Sequence, residues 1–177
     1  MTWRPLLDQL HEVEANPRDV HALGSFGEAV AEIFVHEVLG HEVVVDEATR
    51  NKPQGVDLVT FDPATEQIVV VEVKTTTSRR RVRPRMRRTT STHQMSDLWI
   101  AAPEAAPGGS SRTADAGLDN VDLADVAEGF VGKLVVHVDV AADTVAAHEV
   151  DENGRVGRAP MLQVSLRDLI VTFDAAT

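Results

Sequence analysis

The chain contains no cysteine. That excludes disulfides, cysteine-ligated zinc and a cysteine nucleophile, although it does not by itself fix a compartment. No apolar run approaches the ~20 residues needed to cross a bilayer. The opening residues, Met1-Thr2-Trp3-Arg4-Pro5, lack the basic and apolar blocks of a secretory signal, so the expectation is a cytoplasmic protein with no membrane partner. Lysine is scarce: Lys52, Lys74 and Lys133 are the only three. Positive charge is short overall, and the net charge of -11 speaks against a nucleic-acid ligand if taken as a sum. Its distribution says otherwise. Seven arginines, Arg79, Arg80, Arg81, Arg83, Arg85, Arg87 and Arg88, crowd one short run, and the remainder of the chain is strongly acidic.

A length of 177 residues predicts one domain with a real core. Residues 3–15 carry Leu6, Leu7, Leu10 and Val13 at helical spacing, and Asn16-Pro17 stops that helix. A second helix is predicted over 25–39, closed by Gly40. Strands are predicted over 42–46, 56–61 and 67–75, the last two joined by the turn sequence Asp62-Pro63-Ala64-Thr65-Glu66. A helix over 92–101 follows the arginines, anchored by Met95, Leu98 and Trp99. Residues 103–120, rich in Pro, Gly, Ser and Ala, read as a mobile loop. Two strands, 134–140 and 144–150, and a closing helix or strand over 165–173 complete the order. The domain thus has an N-terminal helix within 1–20 and a core of about 24–150. Its expected class is α/β, a mixed central sheet flanked by helices, with a crossover between the third and fourth strands.

The chemistry concentrates in Val56-Asp57-Leu58-Val59 and in Val69-Val70-Val71-Glu72-Val73-Lys74. Side chains alternate along a strand, so Glu72 and Lys74 project from one face. With Asp57 on the neighbouring strand they can hold a hard divalent cation and a water. The plainer alternative is a surface strand with a Glu–Lys pair. Against it, the valines make the strand apolar on both faces, as in a central strand, where an unpaired charge costs several kcal/mol or more.

Glu28 on a helix, Asp57 on a strand and Glu72-Val73-Lys74 on the next strand resemble the PD-(D/E)xK nuclease superfamily. This is the restriction-endonuclease-like fold, which includes Holliday-junction resolvases and many repair and toxin nucleases. The resemblance covers about residues 24–100 and departs from the family name at Val56, which stands in the proline position. It implies an endonuclease dependent on Mg²⁺ or Mn²⁺ that hydrolyses phosphodiester bonds in nucleic acid, with DNA favoured. It also implies Asp57, Glu72 and the Val73 carbonyl as metal ligands, and Lys74 as the group that orients the attacking water. Glu28 has two readings: a metal-site residue by resemblance, or the partner of Ser25 in a capping box worth ~1 kcal/mol. Gln94 faces the scissile phosphate by the same resemblance, or belongs to a helix whose Met95 and Trp99 are simply core. His93 is a weaker candidate, and His36 and His41 read as structural.

The arginine run reads as a phosphate-tracking arm, or as a solvated loop that pairs with the acidic C-terminal part. Pro84 keeps its middle from being a regular helix, and without interleaved aromatics it does not stack bases. Asp122, Asp125 and Glu128 are spaced as on a solvated helix face and are not read as ligands; residues 115–177 carry no legible chemistry. Two other functions stay open: a non-catalytic module on the same fold that binds nucleic acid or a protein, and a nuclease toxin effector acting on DNA or tRNA, which the similarity of residues 94–100 to toxin nucleases suggests. Many relatives act as dimers, so a homodimer is an expectation without an interface signal behind it.

Overall fold

The computed structural model describes residues 5–45, 56–80, 83–84, 86, 93–101 and 123–176. The readings placed on 46–55, on 103–120, on Thr92, on Asp122 and on Arg81, Arg85, Arg87 and Arg88 lie outside these residues.

Helix α1 spans Leu6–Ala15 and buries Leu6, Leu10 and Val13, as their spacing predicts. Its first amides have no local cap. They donate instead to Asp174 near the other end of the chain, Leu6 N at 3.2 Å and Leu7 N at 3.0 Å. Helix α2 spans Val20–Ile33 and begins five residues before the expected start. Asp19 caps it, accepting from the amides of His21 and Ala22 at 3.0 Å each. Ser25 is therefore inside the helix, and the capping box with Glu28 is not formed. A π-helical turn, Phe34–Val38, extends α2, with Leu39 N donating to Phe34 O. Gly40, at φ +74°, then reverses the chain as expected.

Six strands form one sheet in chain order: β1 (Glu42–Val45), β2 (Leu58–Asp62), β3 (Gln67–Thr76), β4 (Val131–Asp139), β5 (Thr144–Glu149) and β6 (Leu162–Ser165). All neighbours are antiparallel except β3 and β4, which are parallel. That pair needs a crossover, which carries α3 (Asp97–Ala101) and α4 (Leu123–Ala127). β6 was not foreseen. The closing element is a helix, α5 (Leu166–Ala176).

Both faces of the sheet are covered. Val69, Val71 and Val73 of β3 and Leu134, Val136 and Val138 of β4 pack beneath α1, α2 and α5. Val70 and Val135 point the other way, into a smaller core with Met95, Trp99, Ile100 and Val126. The result is an α/β sandwich with a mixed sheet. Among the described residues no helix is long and apolar enough to cross a membrane.

Candidate functional site

The β2–β3 register pairs Leu58 with Val71. One step further along, where β2 has not yet begun, Asp57 lies across from Glu72. The ladder has lost its main-chain acceptor there, and the Asp57 carboxylate supplies one: Val73 N donates to Asp57 Oδ2 at 2.7 Å. A residue's N–H and C=O leave a strand on the same side, so the Val73 carbonyl opens toward Asp57 as well.

Glu72 and Lys74 project from the face covered by α3. Glu72 is 4% exposed in the centre of the sheet. Lys74 Nζ donates to Glu72 Oε1, and so does Gln94 Nε2. Among the described residues, Glu72 Oε2 and Gln94 Oε1 are buried acceptors with no hydrogen-bond partner. The Glu72 carboxyl is pushed up to about 7, first by burial and next by the charge of Asp57, against the opposing pull of Lys74 and Gln94. Two carboxylates therefore stand near one another here, one of them paired with Lys74 through Oε1 and keeping Oε2 unsatisfied.

Gln94 reaches Glu72 from a turn and not from a helix. Met95 adopts φ +63° and is fully buried, and α3 begins only at Asp97, with Ser96 Oγ accepting from Trp99 N. A left-handed, non-glycine residue costs on the order of 1–3 kcal/mol and persists where its surroundings hold it. The expected helix over 92–101 is corrected accordingly. Met95 and Trp99 are core, as the plainer reading had it, but Leu98, expected as a third anchor, is exposed, and so is His93.

Asp57, Glu72, Val73, Lys74 and Gln94 thus form one connected group. Glu28 is half-buried on α2, which lies on the other face of the sheet. It follows Gly27, where a Cβ would stand 1.8 Å from Thr75 Oγ1, so α2 crosses β3 close beside the site. Arg79, Arg80 and Arg83 are exposed, the first of them five positions beyond Lys74. His41 bonds Thr60 Oγ1 at 3.0 Å and is structural, and His36 pairs with Glu37 at the surface. Asp125 is half-buried and Glu128 exposed.

Sequence reasoning missed a polar row next to the site. The register sets Lys74 beside His137, Thr76 beside Asp139, and Val135 beside His148, all on the α3 face. His137, Asp139 and His148 are buried. Burial holds the His137 imidazole below its ordinary value, opposed by Asp139 and reinforced by His148. The available signal was the alternation Lys133, Val135, His137, Asp139 along one strand face.

No group of three or more His, Asp or Glu side chains able to hold a metal is present among the described residues. The donor set that does converge is smaller: two carboxylates and a main-chain carbonyl, all hard oxygens. With the unsatisfied Glu72 Oε2 it suits an oxygen-seeking divalent cation that keeps several waters, as Mg²⁺ does. No family model, curated protein or solved structure matches the chain.

Proposed function

We propose that the chain is a metal-dependent phosphodiesterase acting on nucleic acid, with DNA favoured, of the PD-(D/E)xK type and on the restriction-endonuclease-like fold. The observation that carries the reading is Glu72. It is a carboxylate buried in the middle of a sheet, bonded by Lys74 and Gln94 through one oxygen, beside Asp57, with its second oxygen unsatisfied. A purely structural charge in such a place is expected to be fully paired.

Asp57 and Glu72, with the Val73 carbonyl, would hold Mg²⁺ or Mn²⁺. When bound, the cation supplies charge neutralisation at the phosphate and a more acidic water. The chain's own groups do the remaining work. Val73 N fixes the Asp57 carboxylate by its hydrogen bond. Lys74, anchored on Glu72, presents an ammonium that orients the attacking water and offsets charge developing on the phosphoryl oxygens. Gln94 holds the Glu72 carboxylate in place. Arg79, Arg80 and Arg83, exposed just beyond β3, supply sequence-independent attraction for the phosphate backbone, with the other arginines of the run.

One rival is a non-catalytic module on the same fold that binds nucleic acid or a protein. Both are tested on labelled duplex, single-stranded, branched DNA and RNA substrates in Mg²⁺, Mn²⁺ or EDTA. Cation-dependent cleavage supports the enzyme. If nothing is cut and Mn²⁺ gives no calorimetric heat that Asp57→Ala abolishes, the enzyme reading fails and the binding module replaces it.

A further inference from the structure

Gln94 reaches Glu72 from an irregular turn, so something outside that turn has to hold it. The segment after β5 does so. Asp151 organises a tight turn at 151–154, its Oδ1 accepting from Asn153 N at 2.9 Å and Arg155 N at 2.8 Å. Three contacts tie this turn to the Gln94 segment. Asp97 N donates to Glu152 O at 3.0 Å. Lys133 Nζ, on β4, bridges the two segments by donating to Asp97 Oδ1 and, at 2.7 Å, to Asp151 O. Gly154, at φ +76°, lies so near that a Cβ there would stand 2.5 Å from Gln94 O and 3.0 Å from Ser96 N. Those are main-chain atoms, which cannot swing aside. The positive φ favours a glycine, and the close approach to main-chain atoms demands one.

We propose that Lys133 and the 151–154 turn, through Gly154, are positioning residues that set Gln94 against Glu72. They touch no reacting atom. The half-buried Lys133–Asp97 pair fixes where α3 starts, and Gly154 abuts the carbonyl of Gln94 itself. With Met95 buried in its left-handed conformation, the Gln94 side chain has one direction left, toward the Glu72 carboxylate. Residues 131–154, which carry no chemistry of their own in the sequence, thereby complete the site. The activity arm of the inference rests on the phosphodiesterase reading; the positioning itself does not.

The test uses the full chain with Gly154→Ala, Lys133→Met, Gln94→Ala and the double variants with Gln94→Ala. In the wild type, the Gln94 side-chain amide signals in an ¹⁵N-resolved spectrum, assigned by their loss in Gln94→Ala, are expected away from those of exposed glutamines. In Gly154→Ala and Lys133→Met they are expected to move to the exposed-glutamine position. Cleavage at saturating substrate should fall as far as in Gln94→Ala, by up to about a hundredfold as for a small misplacement, with KM little changed. Adding Gly154→Ala to Gln94→Ala should cost nothing further, because both act through one contact. Unmoved amide signals, or losses that multiply in the double variants, overturn the proposal. Should Gly154→Ala not fold, Lys133→Met, with Lys133→Arg as the conservative rescue, decides alone. If the wild type cuts no substrate, the phosphodiesterase reading falls and the amide signals still decide the positioning.

Discussion

Replacing Glu72 by glutamine should make the metal-free protein more stable at neutral pH. Burial and the neighbouring Asp57 raise the Glu72 carboxyl from 4.5 to about 7, so the folded state keeps a proton that the unfolded chain releases. Below pH ~4.5 both states are protonated and the contribution is whole. Between pH ~4.5 and 7 only the unfolded chain loses the proton, and stability falls by ~1.4 kcal/mol per pH unit. Above pH ~7 the loss levels off at about 3 kcal/mol. Glutamine at 72 keeps a carbonyl for Lys74 and Gln94 to bond and removes the titration. In EDTA, urea midpoints of wild type and Glu72→Gln should therefore diverge as pH rises from 4.5 to 7.5, the variant gaining about 3 kcal/mol. For a protein of this size that is roughly 6–12 °C in Tm. Added Mn²⁺ should close the gap by stabilising the wild type alone. A difference between the two proteins that stays flat across this range would refute the reasoning, since Glu72 would then be solvated. A variant that loses ground with rising pH would refute it too, showing that Lys74 holds Glu72 ionised.

The remaining predictions concern the scaffold and the arginines. Gly27→Ala should lower stability by about 1–3 kcal/mol, even though alanine is the better helix former by ~1 kcal/mol, because the new Cβ falls 1.8 Å from Thr75 Oγ1; Thr75→Ala should recover part of the loss in a thermal melt. His41 and His137 are both held below 6.5 by burial, so their contribution is present above pH 6.5 and lost as pH falls. His137→Gln should reduce that acid loss, read as the difference in urea midpoint between pH 7 and pH 5; an unchanged difference speaks against a buried neutral His137. Replacing Arg79, Arg80 and Arg83 together by alanine should flatten the salt dependence of duplex binding by about 0.9 in slope for each phosphate contact removed, and an unchanged slope assigns these arginines to solvent.

The strands nearest the site were legible because their signals are local. Ile68 to Val71 form a continuous apolar run in β3, the 62–66 turn separates β2 from β3, and period-two alternation puts Glu72 and Lys74 on one face without further information. The start of α2 was missed because Gly24 interrupts an otherwise weak first turn, and the Asp19 cap outweighs it. The start of α3 was missed because helical spacing of Met95 and Trp99 hides a left-handed Met95. β6 is a short edge strand whose Leu162 and Gln163 are exposed, so its alternation carries little signal. His137 beside Lys74, and Gly154 against Gln94, are products of register and of contacts between residues some sixty apart. No local pattern encodes such pairings, which is why the C-terminal third read as chemically silent.

The most direct test of the account is single-turnover cleavage of a labelled DNA substrate by wild type, Asp57→Ala and Lys74→Ala at fixed Mn²⁺, with folding checked by circular dichroism. The wild type should cleave in a way that EDTA abolishes, and the rate should fall by about 10²–10³ in each variant, the usual loss when one positioned charge-stabilising group is removed. Cleavage that persists at the wild-type rate in folded Lys74→Ala would contradict it.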